Sequence, residues 1–221
     1  MRRFIPVLSV VMAFHSLTSA AEPSSQVAWT ADTLNLLKQA SLERGRIMAD
    51  SCEACHAATD ENAASDYPYL AGQRAAYLFK QLRDYKNGNR INAIMTGMAA
   101  PLSNQAMADI AAWYSQQVPA VPVTTPDNSL AATASALVAR GDPGRLITPC
   151  SACHTESADK PLDNPVLAGQ KATYLEDSLL AYQTGHRHND TYQRMRLIAN
   201  SLTRDEIHGL AVYYASRTPS R

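Results

Sequence analysis

The chain has 221 residues, with 20 basic side chains balanced by 20 acidic ones, so its length allows one domain or two and its formal charge is zero. No block of basic residues interrupts that balance, which argues against nucleic acid as a partner.

The first residues read as an export signal. Arg2 and Arg3 precede an apolar run from Phe4 to Leu17, followed by the small residues Ser19, Ala20 and Ala21. This order of basic, apolar and small segments predicts a signal peptide over 1–21, cut after Ala21. The run is shorter than the ~20 residues a spanning helix needs, and His15 interrupts it. No later stretch is long and apolar enough to span a bilayer, so a soluble, exported mature protein is expected. Glu22 to Ala40 form an N-terminal extension, either a partner-docking arm or extra helix. A helix including Leu42 and Met48 is then expected to lead into Cys52-Glu53-Ala54-Cys55-His56.

That pentapeptide recurs as Cys150-Ser151-Ala152-Cys153-His154, and the two copies hold all four cysteines of the chain. In an exported chain four cysteines would ordinarily suggest disulfides, and a lone Cys-x-x-Cys a redox dithiol. The histidine directly after the second cysteine, in both copies, points elsewhere. Covalent haem attachment requires two thiols that add to the vinyl groups of one porphyrin and an adjacent imidazole that reaches the iron. A zinc site would need its four ligands close together, and the motifs stand almost a hundred residues apart. Cys52, Cys55, Cys150 and Cys153 are therefore the expected attachment points of two haem c groups, with His56 and His154 as axial ligands.

The motifs belong to a longer duplication. Leu70-Ala71-Gly72-Gln73 returns as Leu167-Ala168-Gly169-Gln170, Tyr77-Leu78 as Tyr174-Leu175, and Tyr85, Gly88, Arg90 and Asn92 as Tyr182, Gly185, Arg187 and Asn189. After a three-residue shift, Leu102-Ser103 aligns with Leu202-Thr203 and Trp113-Tyr114 with Tyr213-Tyr214. Between the copies, Pro119, Pro122 and Pro126 favour an extended connector. The expected organisation is a first haem domain over 22–118 that includes the extension, a Pro-rich linker over 119–128, and a second haem domain over 129–221.

Both copies read as helical. Ser103 and Thr203 sit at N-cap positions, and Glu206 completes a capping box. Met107, Ile110, Ala111 and Tyr114, repeated as Ile207, Leu210, Ala211 and Tyr214, have the spacing of one buried helix face. Tyr77, Leu78, Leu82 and Tyr85, repeated as Tyr174, Leu175, Leu179 and Tyr182, form another, ended by Asn87-Gly88 and Thr184-Gly185. The fold class is all-α, each copy a small helical bundle around one haem.

A six-coordinate iron needs a second axial ligand. Met95, Met98 and Met107 are available in the first copy, and Met195, His186, His188 and His208 in the second. Met95 stands seven residues before Leu102 and Met195 seven before Leu202, whereas Met98 aligns with Ile198 and Met107 with Ile207. His186 and His188 align with Asn89 and Ile91 and are read as surface residues. Met95 and Met195 are thus the expected pair.

With its paired CxxCH motifs, Leu-Ala-Gly-Gln stretches, Tyr-Leu helices, and Met95-Thr96-Gly97-Met98 and Met195-Arg196-Leu197 ahead of the last helices, the chain from about Ser41 onward resembles the cytochrome c4 family of dihaem carriers. The resemblance implies two tandem class I cytochrome c domains and the same ligand methionines. It implies a periplasmic electron carrier, expected to be a monomer, that works by outer-sphere transfer between respiratory complexes: a quinol-oxidising donor and a terminal oxidase as acceptor. Peripheral attachment to a membrane is compatible with that traffic. The alternative is a dihaem cytochrome subunit of an oxidoreductase, such as a flavocytochrome sulfide dehydrogenase. A dihaem peroxidase would need an open iron position, against which the matched methionines argue. Tyr77 and Tyr174 could donate to a haem propionate or across the domain contact and Arg90 and Arg187 could balance propionate charge, or they could be half-buried phenols and ordinary surface cations.

Overall fold

The computed structural model describes residues 25, 27, 29–57, 67–119, 128–155 and 162–219. The expected signal peptide and all of the connector between 120 and 127 lie outside the described residues.

The first half runs α1 (Ala31–Lys38), α2 (Leu42–His56), α3 (Ala75–Lys86), α4 (Ala93–Ala99) and α5 (Asn104–Ser115). The second runs α6 (Asn128–Arg140), α7 (Ala172–Gln183), α8 (Arg194–Ser201) and α9 (Arg204–Ala215). Among the described residues there is no strand, only an isolated bridge between Asp142 and Ile147. Each half closes its own core: Ala49, Phe79, Met107 and Ala111 in the first, and Leu137, Ile147, Ile207 and Ala211 in the second.

Helix ends fall where side chains can satisfy the orphan backbone groups. Ser41 and Ser103 accept from the third residue of α2 and α5, and Thr203 and Glu206 form a full capping box on α9. Gly88 and Gly185 follow α3 and α7 with φ of 77° and 78°, the left-handed turn that Gly adopts without a Cβ penalty.

In the first half α2 crosses α5 at Gly45, where a Cβ would stand 2.1 Å from the Asp109 carbonyl oxygen. In the second half the glycine of the crossing is on the other helix: Gly209 of α9 faces Leu130 and Ala134 of α6. Beside these crossings, buried Asp109 holds Arg44 and the Ser41 N–H, while Arg145 spans Asp142 and Glu206.

The described residues of the N-terminal extension are packed structure. Val27, Trp29, Leu36 and Leu37 lie against the first core, the Trp29 ring packs tilted against Phe79 with centroids 6.5 Å apart, and the Ser25 hydroxyl donates to buried Asp84 at 2.7 Å.

The halves meet through reciprocal amide clamps. Gln73 donates to the Val166 carbonyl and accepts from the Val166 N–H, both at 2.9 Å. Gln170 does the same with Tyr69, again at 2.9 Å in both directions. Deeper in the contact Arg187 donates to Tyr77 and Arg90 to Tyr174. Lys80 forms a buried pair with Asp84 and also reaches the Asn189 carbonyl. Neither arginine is therefore an ordinary surface cation.

Candidate haem-binding sites

In the first half the cysteine motif occupies the last turns of α2, so Cys52 and Cys55 stand three residues apart on a helix that ends at His56. In the second half α6 stops at Arg140, Gly141 turns at φ 64°, and a short hairpin over Asp142–Ile147 intervenes. Cys150 then opens a 3₁₀ turn, Cys150–Ala152, that carries the motif. The half-buried first thiol points at a backbone carbonyl in both cases, that of Met48 one turn earlier in α2 for Cys52 and that of Leu137 in α6 for Cys150. No disulfide joins any of the four cysteines. Burial pushes the Cys52 thiol up, and the Cys150 thiol up to about 11.

The two imidazoles share one arrangement. His56 Nδ1 lies 2.8 Å from the Pro68 carbonyl oxygen, and His154 Nδ1 lies 3.0 Å from that of Pro165. A carbonyl can only accept, so Nδ1 carries the proton and the Nε2 lone pair is left for a metal. Burial lowers both imidazole pKa values, which favours the neutral, ligating form.

The Leu-Ala-Gly-Gln repeat begins two residues after each of those prolines. Gly72 and Gly169 adopt φ of 71° and 73°, and their N–H groups donate to the Tyr114 and Tyr214 carbonyls at the ends of α5 and α9. At Gly72 a Cβ would fall 2.3 Å from a Pro119 ring carbon, so the turn requires glycine. One tetrapeptide thus fixes the loop that orients the histidine and presents the glutamine that clamps the opposite half.

Met95 is half-buried in the first turn of α4, whose cap Asn92 accepts from the Met95 N–H. Met195 is half-buried in the first turn of α8. These helices pack on α3 and α7, away from the helices that lead to the cysteines. Met98 is exposed and Met107 is fully buried in the core. His186 is exposed and bonded to Thr184, and His208 is exposed and bonded to Glu176; His188 is half-buried rather than fully at the surface.

The residues present fit haem c: two thiols at the required spacing, an imidazole fixed in the ligating tautomer, and a thioether on a separate helix in each half. The buried hydroxyls of Thr155, beside His154, and of Tyr214 meet no protein partner. Between the halves, burial pushes the Tyr77 phenol up. Tyr174 also suffers burial, yet Arg90 and Arg187 bring it down to about 7. Of the roles open to the two tyrosines in the sequence, the contact between the halves is the one formed, with Arg187 and Arg90 as the donors.

Comparison with known proteins gives the same reading. The cytochrome c family model matches residues 42–118. The thiosulfate dehydrogenase electron acceptor of Thiomonas intermedia is 37 % identical over 172 residues, 76 % of this chain and 79 % of that protein. Cytochrome c4 of Pseudomonas aeruginosa is 36 % identical over 172 residues, 76 % of this chain and 85 % of that protein. The crystal structure of reduced recombinant cytochrome c4 from Pseudomonas stutzeri matches with a TM-score of 0.74 at 33 % identity, covering 81 % of this chain and 100 % of that one. These matches make covalently bound haem c the cofactor, and the two CxxCH motifs account for two haems. With this similarity extending over both halves, the chain belongs to the cytochrome c4 family of dihaem electron-transfer proteins.

Proposed function

We propose that this protein is a periplasmic carrier that passes single electrons between respiratory complexes, towards a terminal oxidase, with Cys52, Cys55, Cys150 and Cys153 anchoring the haems and His56, Met95, His154 and Met195 as axial ligands. The observation that carries the reading is the twice-repeated imidazole, buried at His56 and half-buried at His154, neutral and held through Nδ1 by a proline carbonyl. Bound haem supplies a one-electron iron couple, and an axial thioether raises its potential relative to bis-histidine ligation. With both axial positions filled from the chain, no position is open to oxygen or substrate, so exchange is outer-sphere. The apolar helical core around each motif disfavours the more highly charged ferric form and acts in the same direction. The domains span 22–118 and 129–221 and are joined by the linker over 119–128; export follows cleavage of 1–21, and the carrier works as a monomer.

A second reading is favoured by two relatives, each named as the electron acceptor of a thiosulfate dehydrogenase. This chain would then take electrons from a catalytic partner oxidising a reduced sulfur compound, as a subunit or a dedicated acceptor. Co-elution of the native protein with such an enzyme on size-exclusion chromatography supports that role, and elution alone supports the diffusing carrier.

Met95→Ala and Met195→Ala test the ligands. Each is expected to remove about half of the weak near-infrared sulfur-to-ferric-iron absorption and to let one reduced haem bind carbon monoxide, while Met98→Ala does neither. Loss of the band from Met98→Ala with retention in Met95→Ala overturns the ligand assignment in the first half.

A further inference from the structure

The two ligand helices are aligned but present opposite chemistry. Ile94 directly precedes Met95, and Arg194 directly precedes Met195. From Ile91 to Ala108 the first half has no charged residue, and Ile94 and Met98 are 52 % and 43 % exposed. From Thr191 to Arg204 the second half has three arginines and no acid. Arg196 is held by Asp190 at 2.7 Å. Exposed Arg194 and Arg204 meet no carboxylate among the described residues.

The same stretch contains the three-residue insertion that separates the copies. In it Tyr192 and Gln193 adopt φ of 56° and 58°, a backbone region that non-glycine residues avoid. Tyr192 is 82 % exposed, and Leu197 on α8, three residues from Arg194, is 64 % exposed. Tyrosine and arginine are the residue types that anchor protein contacts, and strain held at the surface beside a cofactor ligand calls for a use.

We propose that Tyr192, Arg194 and Leu197 form a docking face at the Met195 side of the second haem domain for a redox protein whose contact surface is acidic. The proposal rests on the reading of Met195 as a ligand, which places this face next to the electron-exchanging iron. Charge complementarity selects the partner: an unpaired cation flanked by apolar side chains matches carboxylates around an apolar centre. A transient redox encounter needs only such a small contact. Holding a protein on an anionic bilayer takes a cluster of several cations, and two free arginines fall short of that.

The test uses the full-length, haem-loaded protein adsorbed on gold under a carboxylate-terminated thiol monolayer, which stands in for the acidic surface. Arg194→Glu is expected to lower the electroactive protein retained at low salt by roughly tenfold, with the gap closing as salt screens the contact. Arg194→Lys should recover most of it. Lys38→Glu, the same charge change on exposed α1, should stay within about twofold of the unaltered protein. Equal losses from Lys38→Glu and Arg194→Glu would mean that net charge alone matters and would overturn the proposal. Arg194-dependent sedimentation with anionic phospholipid vesicles would replace the protein partner with a membrane. The near-infrared sulfur band of Met195→Ala, measured separately, tells failure of the ligand reading from failure of the docking face.

Discussion

The two halves of this chain hold matching groups with different scaffolds. The first half delivers its cysteines from the end of an unbroken helix, while the second interrupts that helix with a glycine and a hairpin and delivers them from a 3₁₀ turn. The first puts the glycine of its helix crossing on α2 and the second on α9. The first braces its crossing with Arg44 and Asp109, the second with Arg145 and Glu206. Both end with an imidazole bonded through Nδ1 to a proline carbonyl. Duplicated domains drift wherever several solutions pack equally well, and they stay alike where a cofactor admits one arrangement of ligands.

The strongest way to break this comparison is to remove one attachment. Cys52→Ala combined with Cys55→Ala is expected to halve the haem that remains bound after denaturation, because each motif completes its own site. The corresponding pair at Cys150 and Cys153 should remove the other half. Retention of both haems by either double variant, measured by haem content after acid–acetone extraction, would show that the cysteines are not the anchors.

A smaller contrast is expected at the crossings. Gly45→Ala places a methyl group against the Asp109 backbone at 2.1 Å and against the Trp113 Cβ at 2.9 Å, and neither neighbour can rotate away. α5 must retreat, at a cost of about 3 kcal/mol. Gly209→Ala meets the Leu130 Cβ at 3.2 Å, a contact that a shift of a few tenths of an ångström relieves. Alanine also gains about 1 kcal/mol over glycine inside a helix, so this variant should be near neutral. Denaturant midpoints of the two haem-loaded variants measure the difference. Similar destabilisation by both would mean that the crossings are equivalent after all.

Much of this fold was legible because its signals are local. The capping box at Thr203 and Glu206, the glycine stops after α3 and α7, and the buried stripes of α5 and α9 all form as their spacing predicts. The hairpin after α6 has no counterpart in the first copy, so the repeat offers no template for it, although Gly141, Asp142, Pro143 and Gly144 are a turn signature. The clamps were missed for a different reason. Gln73 and Gln170 were visible as part of a repeated motif, but their partners lie in the opposite half, 93 and 101 residues away. The packing of Trp29 on Phe79 is likewise long-range, so the extension could be read only as an arm or a helix.

The smallest expected effect separates the halves by acid. Glu206 is held down to about 2 chiefly by its bond to Arg145, against the cost of burial and with help from the Thr203 cap. Its ordinary value of 4.5 applies in the unfolded chain. A carboxylate whose folded pKa is depressed contributes stability that is complete above the unfolded value and is lost as pH falls through the folded one. The second half should therefore lose this contribution between about pH 4.5 and 2, and Glu206→Gln should remove about 1 kcal/mol at neutral pH and flatten the profile over that window. The aligned residue in the first half is Ala106, so α5 has no counterpart, and its acid response rests on Asp109. Burial pushes the Asp109 carboxyl up, but Arg44, the Ser41 N–H and Gln105 together hold it below its usual range. Because the Glu206 carboxylate is 12 % exposed against 1 % for Asp109, which the uncharged Ser41 N–H and Gln105 amide also hold, salt should weaken the Glu206 contribution more. Thermal unfolding of Glu206→Gln and Asp109→Asn at pH 7 and pH 3, in low and high salt, measures this, and identical salt responses would mean that the two pairs are equally screened.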